Sequence, residues 1–277
     1  MSTTSQWIDS LPAAATAASG VASQEGSRWC QTAAAALQRA TGGRRWHVVD
    51  FAAIGLDTTT TIHGLYTFGL GSTTAGMIRK DVGTRDGVVL VNVAGATSSI
   101  FRQAVERRLN VITNTLAPVA GLWIMAIAAH EASHAYARSG LEAQSRFQPA
   151  TIDELRDAIP EMAAQIAADG VSAEAHGPEF VRAALHITTR ISYWQPWADW
   201  HLGARVWRET WHDMVDDDLA VFVSVPVAEI RAALADELIQ GATLSLEEVL
   251  AGPAPAKFTD LFLTPAADSA TATWSHS

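Results

Sequence analysis

The residues best placed to do chemistry are two histidines four apart with a glutamate after the first: His130-Glu131-Ala132-Ser133-His134. Positions i and i+4 share one face of a helix, so both imidazoles can reach one metal ion, with Glu131 turned about 100° beside them. Neutral ring nitrogens suit zinc, which acidifies water and polarises a carbonyl, and an adjacent carboxylate can then take the water's proton. No proline interrupts this segment, its intervening positions are small and uncharged, and the preceding run from Leu116 to Ala129 is apolar enough to bury a helix face. Three ionisable groups in so apolar a setting are costly without a partner such as a metal. A third ligand must come from elsewhere. His176, in His176-Gly177-Pro178-Glu179-Phe180, stands 42 residues after His134, just outside the first turn of the next apolar helix. Glu174 and Glu179 beside it are rival carboxylate ligands.

Cysteine usage narrows the chemistry further. Cys30 is the only cysteine, which excludes an intramolecular disulfide, a CxxC zinc ribbon and a four-thiolate iron–sulfur cluster. Any metal site is therefore built from histidine and carboxylate. His186 reads as a helix-surface or core histidine; His47, His63, His201 and His212 lack ligand spacing, and His276 falls near the end of the chain. Gly71 and Gly76 have P-loop spacing, but Met77 occupies the lysine position, so no phosphate site is expected. No G-x-S-x-G occurs, and Cys30 has no evident catalytic partner, so covalent catalysis has little support.

HEASH followed by HGPEF resembles the SprT-like (Spartan-type) zincin metalloproteases, whose signature is HExxH followed by HGxxF or HGxxW. The resemblance covers roughly residues 27–191. It implies a minimal zincin-like core, a bound Zn2+ held by His130, His134 and His176, Glu131 as general base, and a protein or peptide substrate lying along an edge strand, for which Val88–Val93 is the candidate. The oxyanion of such a reaction needs a further donor. The tyrosines available are Tyr66, Tyr136 and Tyr193; Tyr193, which follows the third-ligand helix, is the one taken as catalytic. The gap between the two motifs is longer than usual for that family, which marks 141–170 as an inserted helical segment.

The elements that must position these residues give an α+β fold. Trp29, Ala33 and Leu37 have helical spacing over 27–40. Three runs rich in β-branched or aromatic residues, Trp46–Phe51, His63–Leu70 and Gly87–Val93, read as strands of a small three-stranded sheet. Helices follow over 98–113, from Pro118 to Arg138, 152–168 with Pro160 inside, 178–191, 196–215, 226–239 and 246–251, the last with Ser245 and Glu248 as a capping box. Trp197, Trp200, Ala204, Trp207, Trp211 and Met214 step at 3 and 4 residues, the pattern of a core seam, with a partner-binding face over 196–215 as the other reading. Asp216–Asp218 reads as a solvated helix end. The expected organisation is a poorly ordered tail over 1–24, a catalytic domain over 25–193, a helical, Trp-rich, acidic extension over 194–251, and a flexible tail over 252–277 from which Phe258, Leu261 and Phe262 could dock on the body.

Composition sets the outer limits. The 277 residues are 48% hydrophobic and 17% charged, which suits a folded core. The formal charge is −10, and between Arg208 and Asp260 three basic residues face eleven acidic ones. That balance gives no strong footprint for a nucleic acid. The longest apolar run falls short of the roughly 18 residues needed to span a bilayer, and the first 25 residues lack the features of a signal peptide. The expectation is a cytoplasmic zinc metallopeptidase. The alternatives are a weak or inactive zincin-fold scaffold with structural zinc that binds a partner, and a metal-dependent hydrolase of something other than peptides.

Overall fold

The computed structural model describes residues 26, 28–60, 62–66, 87–97, 113–137, 152–169, 176–194 and 204–263. The expected helix 98–113 (apart from its last residue), the Gly71–Gly76 segment, Trp197, Trp200, the N-terminal tail 1–24 and residues 264–277 lie outside them. Helix α1 (28–40) buries Trp29, Cys30, Ala33, Ala36 and Leu37. Three strands follow: β1 (Trp46–Asp50), β2 (Gly64–Tyr66) and β3 (Gly87–Val91). The helices are α2 (Thr113–Ser133), α3 (Ile152–Asp169), α4 (Pro178–Trp194), α5 (Ala204–Ala220), α6 (Val227–Gln240), α7 (Leu246–Ala251) and α8 (Ala256–Leu263). A few strands set among many helices give the α+β class.

The sheet order is β1-β3-β2. Strand β1 runs parallel to β3, with Trp46 opposite Gly87 and Asp50 opposite Val91, while β2 runs antiparallel to it, with Gly64 opposite Val91. Gly87 is required by that register, since a Cβ there would lie 2.4 Å from the Trp46 indole. Successive β3 side chains alternate between two cores. Val89 and Val91 join the main core, and Val88 and Leu90 join a smaller one with Phe51, Leu56, Leu155 and Ile159. Helix α3 therefore packs on the face of the sheet opposite α2.

This arrangement corrects one expectation. The strand at Val88–Val93, which spans Gly87–Val91, is the central strand and not an edge: residues 88–91 are buried, and 89–91 pair with β1 on one side and β2 on the other. The uninterrupted apolar run is what a doubly covered strand requires. Among the described residues, β2 is the antiparallel edge, with β3 as its pairing partner.

Helix α2 is apolar all round, as a helix enclosed on every side must be. Leu122, Ile124, Met125, Ala128 and Ala129 are fully buried in the main core with β3, α4 and α5. Thr113 already lies within α2, ahead of the expected start at Pro118. Near the other end Ser133 donates its hydroxyl to the carbonyl of Ala129 at 2.6 Å, a bond that competes with the helix ladder. The backbone then tightens into a 3-10 turn over His134–Tyr136.

The C-terminal helices belong to the same core. Trp211, Leu219, Ile230, Leu234 and Phe258 are buried in one cluster with Phe180 and Leu185 of α4. Trp211 donates its indole N–H to the Thr188 carbonyl at 3.1 Å, so at this position the aromatic seam packs inward. Residues 256–263, expected within the flexible tail, form helix α8 and dock through Phe258. A buried ionic network reinforces this docking. Arg182 of α4 donates through Nε and Nη2 to both oxygens of Glu237 of α6, at 2.9 and 2.8 Å, and also reaches the carbonyls of Val249 and Gly252. His186 donates Nε2–H to the same carboxylate at 2.6 Å, which confirms its reading as a core histidine. No helix among the described residues is long and apolar enough to cross a membrane.

Candidate metal centre

Three histidines from two elements converge between α2 and α4. His130 lies in the last turn of α2 and His134 opens the 3-10 turn beyond it, so the i, i+4 spacing survives the change of helix type. His176 sits in the turn before α4, whose start is fixed by Pro178, a residue suited to the first helical position. One nitrogen from each ring lies within 4.8 Å of the others, close enough to hold a single metal ion. The Nε2 atoms of His130 and His176 are 3.1 Å apart. Two nitrogens on a tetrahedral zinc stand about 3.3 Å apart, given bonds of about 2.0–2.1 Å.

The surroundings hold these rings without satisfying them fully. Phe180 stands beneath all three, with ring centroids 4.8, 4.6 and 4.7 Å from His130, His134 and His176. Phe222, in the turn between α5 and α6, stacks on His176 at 4.0 Å. His134 is buried, and its Nδ1 has no hydrogen-bond partner, a costly state for a polar atom unless it binds something. Burial, and then the charges of His130 and His176, hold the His134 imidazole well below its ordinary pKa. It is therefore neutral, the form a metal ligand needs. Burial also lowers His130, but the charge and hydrogen bond of Asp218, with the charge of Glu131, outweigh that and bring it to about 8. Three neutral-capable imidazoles and an unsatisfied buried nitrogen make a donor set that fits zinc.

Glu131 faces the sheet. A Cβ placed on Gly64 of β2 would lie 2.8 Å from Glu131 Oε1 and 2.6 Å from Ile127 Cγ2. The glycine thus lets the edge strand approach the carboxylate and the face of α2 that carries it. Beyond the three histidines, the structure separates the other expected residues. Tyr193 lies in the last turn of α4, on the order of 25 Å along the helix axis from His176, where it is 62% exposed and lines a surface pocket with Arg39 and Arg190. The expected catalytic Tyr193 is thus not brought to the histidines. Tyr136 turns the other way and donates to Glu247 at 3.3 Å; burial, with the Glu247 charge, pushes its phenol up to about 12. Glu179 is exposed in the first turn of α4 and stands outside the histidine cluster; Glu174 lies outside the described residues.

One contact was not expected. Asp218 of α5 lies with Oδ2 2.8 Å from His130 Nδ1, and its neighbour Asp216 pairs with Arg231 of α6. Two members of the acidic triplet read as a solvated helix end are therefore engaged. No local pattern in the triplet singles out the members that find partners, since Asp218 meets α2 and Asp216 meets α6. Comparison with family models, curated proteins and solved structures finds no match to this chain.

Proposed function

We propose that the chain is a zinc-dependent metallopeptidase of the SprT-like zincin type, acting on a protein or peptide substrate. The observation that carries this reading is the convergence of His130, His134 and His176 beside Glu131, whose carboxylate abuts the edge strand β2 at Gly64. The three histidines would hold the ion. Zinc, when bound, supplies a Lewis acid that acidifies water and polarises a carbonyl. Glu131 accepts the proton of the attacking water at its carboxylate and returns it to the departing amine. Strand β2 offers main-chain groups along which an extended substrate can lie as a further antiparallel strand. Phe180 and Phe222 keep the rings in a largely apolar enclosure, which strengthens each electrostatic contact inside it.

The scaffold alternative, in which zinc is structural, calls for a closed set of four ligands. The three histidines of the cluster match the protein-ligand number of a catalytic zinc site. The test is direct. Purified protein should carry about one zinc per chain, and H130A or H176A should abolish its retention. Glu131→Gln should retain the metal and eliminate hydrolysis of an unfolded protein substrate. Full zinc content in both histidine variants overturns the ligand assignment, and an unchanged rate in the glutamate variant removes Glu131 as the base.

A further inference from the structure

We infer that Asp218 is the positioning residue of the metal centre, and that helices α5 and α6 are the mount that holds it there. The inference rests on the reading of the three histidines as ligands and extends it to a part of the chain outside the family-like core. Asp218 lies 88 residues beyond His130, in the last turn of α5, and brings Oδ2 to 2.8 Å from His130 Nδ1. A carboxylate only accepts, so the proton of this bond resides on Nδ1, and in the neutral ring that a metal requires the lone pair is on Nε2. Nε2 is the atom that faces His176 across 3.1 Å. Asp218 thereby fixes both the tautomer and the rotation of the first ligand, an arrangement that raises the basicity of a ligating imidazole.

The carboxylate is itself held by a chain of contacts that closes on the site. Asp216, two residues earlier on α5, accepts from Arg231 Nε at 2.8 Å. Arg231 belongs to α6, and α6 is tied to α4 through Glu237, gripped by both Arg182 and His186. Helix α4 begins two residues after His176. The path from His176 through α4, α6 and α5 thus returns to His130, and Phe222 stacks back onto His176 from the turn that follows α5. Asp213 and Asp217, on the same helix, are exposed. The two aspartates that are held are the ones that set the position of the helix end.

The experiment uses the full chain and two probes, Zn2+ in competition with a chelator and the visible absorption of protein loaded with Co2+. D218N and D218A should each weaken Zn2+ binding by about 10- to 100-fold, and D218E should recover part of that loss. The Co2+ bands should shift in D218N, because the ligand field at His130 changes. Arg231→Met should weaken Zn2+ binding severalfold although it touches no ligand. Zn2+ binding by D218N within twofold of wild type, with unchanged Co2+ bands, overturns the inference. So does a loss of affinity accompanied by loss of the helical circular dichroism of the metal-free protein, which would reduce Asp218 to a folding contact. A wild-type chain that takes up neither metal overturns the three-histidine reading itself, a distinct result from selective weakening in the Asp218 variants.

Discussion

A single methyl group on Gly64 tests the relation between the edge strand and Glu131. In Gly64→Ala the new Cβ would meet Ile127 Cγ2 at 2.6 Å and Glu131 Cγ and Oε1 at 2.8 Å. Unstrained carbon contacts lie at about 3.5–4.0 Å, so something must give by roughly 0.7–1.4 Å. Helix α2 has little room to retreat, because Leu122, Ile124, Met125, Ala128 and Ala129 are fully buried on its other sides. The Glu131 side chain is the softer partner, and its carboxylate swings away from β2. A displacement of about 1 Å at a catalytic group costs on the order of 100-fold in rate. The overpacking itself costs about 1–3 kcal/mol of stability, little of which is offset by the reduced entropy of the unfolded chain. The assay is hydrolysis of an unfolded protein substrate by the zinc-loaded variant, with metal content and thermal midpoint measured alongside. The expected outcome is full zinc content, a modestly lower midpoint and a rate reduced about 100-fold. An undiminished rate in a folded, zinc-replete G64A would refute the placement of Glu131 as a base poised against the strand.

Three other outcomes follow from the packing. Glu237→Gln leaves Arg182 and His186 without their buried anion and should cost about 3 kcal/mol in chemical denaturation. The network also sets a pH dependence. Burial raises Glu237, but the hydrogen bonds and charges of Arg182 and His186 outweigh it and hold its pKa below 4.5, while burial holds His186 below 6.5. In both cases the unfolded chain binds protons that the folded one refuses, so stability falls with pH, first below about 6.5 and then below about 4.5. Thermal midpoints should decline over that range, and the lower part of the decline should shrink in E237Q; a flat profile in wild type contradicts the assignment. Phe258→Ala removes a ring that is 1% exposed and should cost about 3–5 kcal/mol, which separates a docked α8 from a free tail in the same denaturation assay. Burial, with the Asp50 charge, pushes the Cys30 thiol up to about 12, so alkylation should be negligible in the native protein at mildly alkaline pH and rapid in denaturant.

The ligand-bearing elements were legible because their signals are local. HEASH needs only helical spacing to put two rings on one face, and His176-Gly177-Pro178 carries its own helix-start chemistry; the structure brings all three histidines together. The Ser245–Glu248 capping box formed as read. What failed was long-range. Periodicity finds a strand but not its place in a sheet, and Val88–Val93 was placed at an edge although its unbroken apolar run is the mark of a strand covered on both faces. Three consecutive aspartates look solvated until a partner helix selects two of them. Tyr193 reads as following the third-ligand helix and returning over the site, but α4 runs on to Trp194 and carries it to the far end. Phe258 was legible as an anchor, and it docks; the helix over Ala256–Leu263 was not read within a stretch expected as a flexible tail.

In the proposed metal centre, stability and metal affinity are interdependent, because the three histidines are set into the main core. Without an ion, the fold encloses three imidazoles, one of them with a buried and unpartnered nitrogen, in a setting made of Phe180, Phe222 and apolar helix faces. Each such polar burial costs free energy, which the surrounding core must offset. An ion bound only by the folded chain returns stability in proportion to the logarithm of its concentration over its dissociation constant, about 2.7 kcal/mol at a hundredfold excess. The ligands span α2 and the α4 entrance, and the extension touches them at Asp218 and Phe222. Linkage runs both ways, so a change that loosens α6 on α4, such as E237Q, should also weaken metal binding, and chelation should lower the melting temperature of the whole chain instead of releasing the extension alone. A core that unfolded in two metal-sensitive steps would contradict that coupling, because the buried cluster of α2, α4, α5, α6 and α8 is continuous.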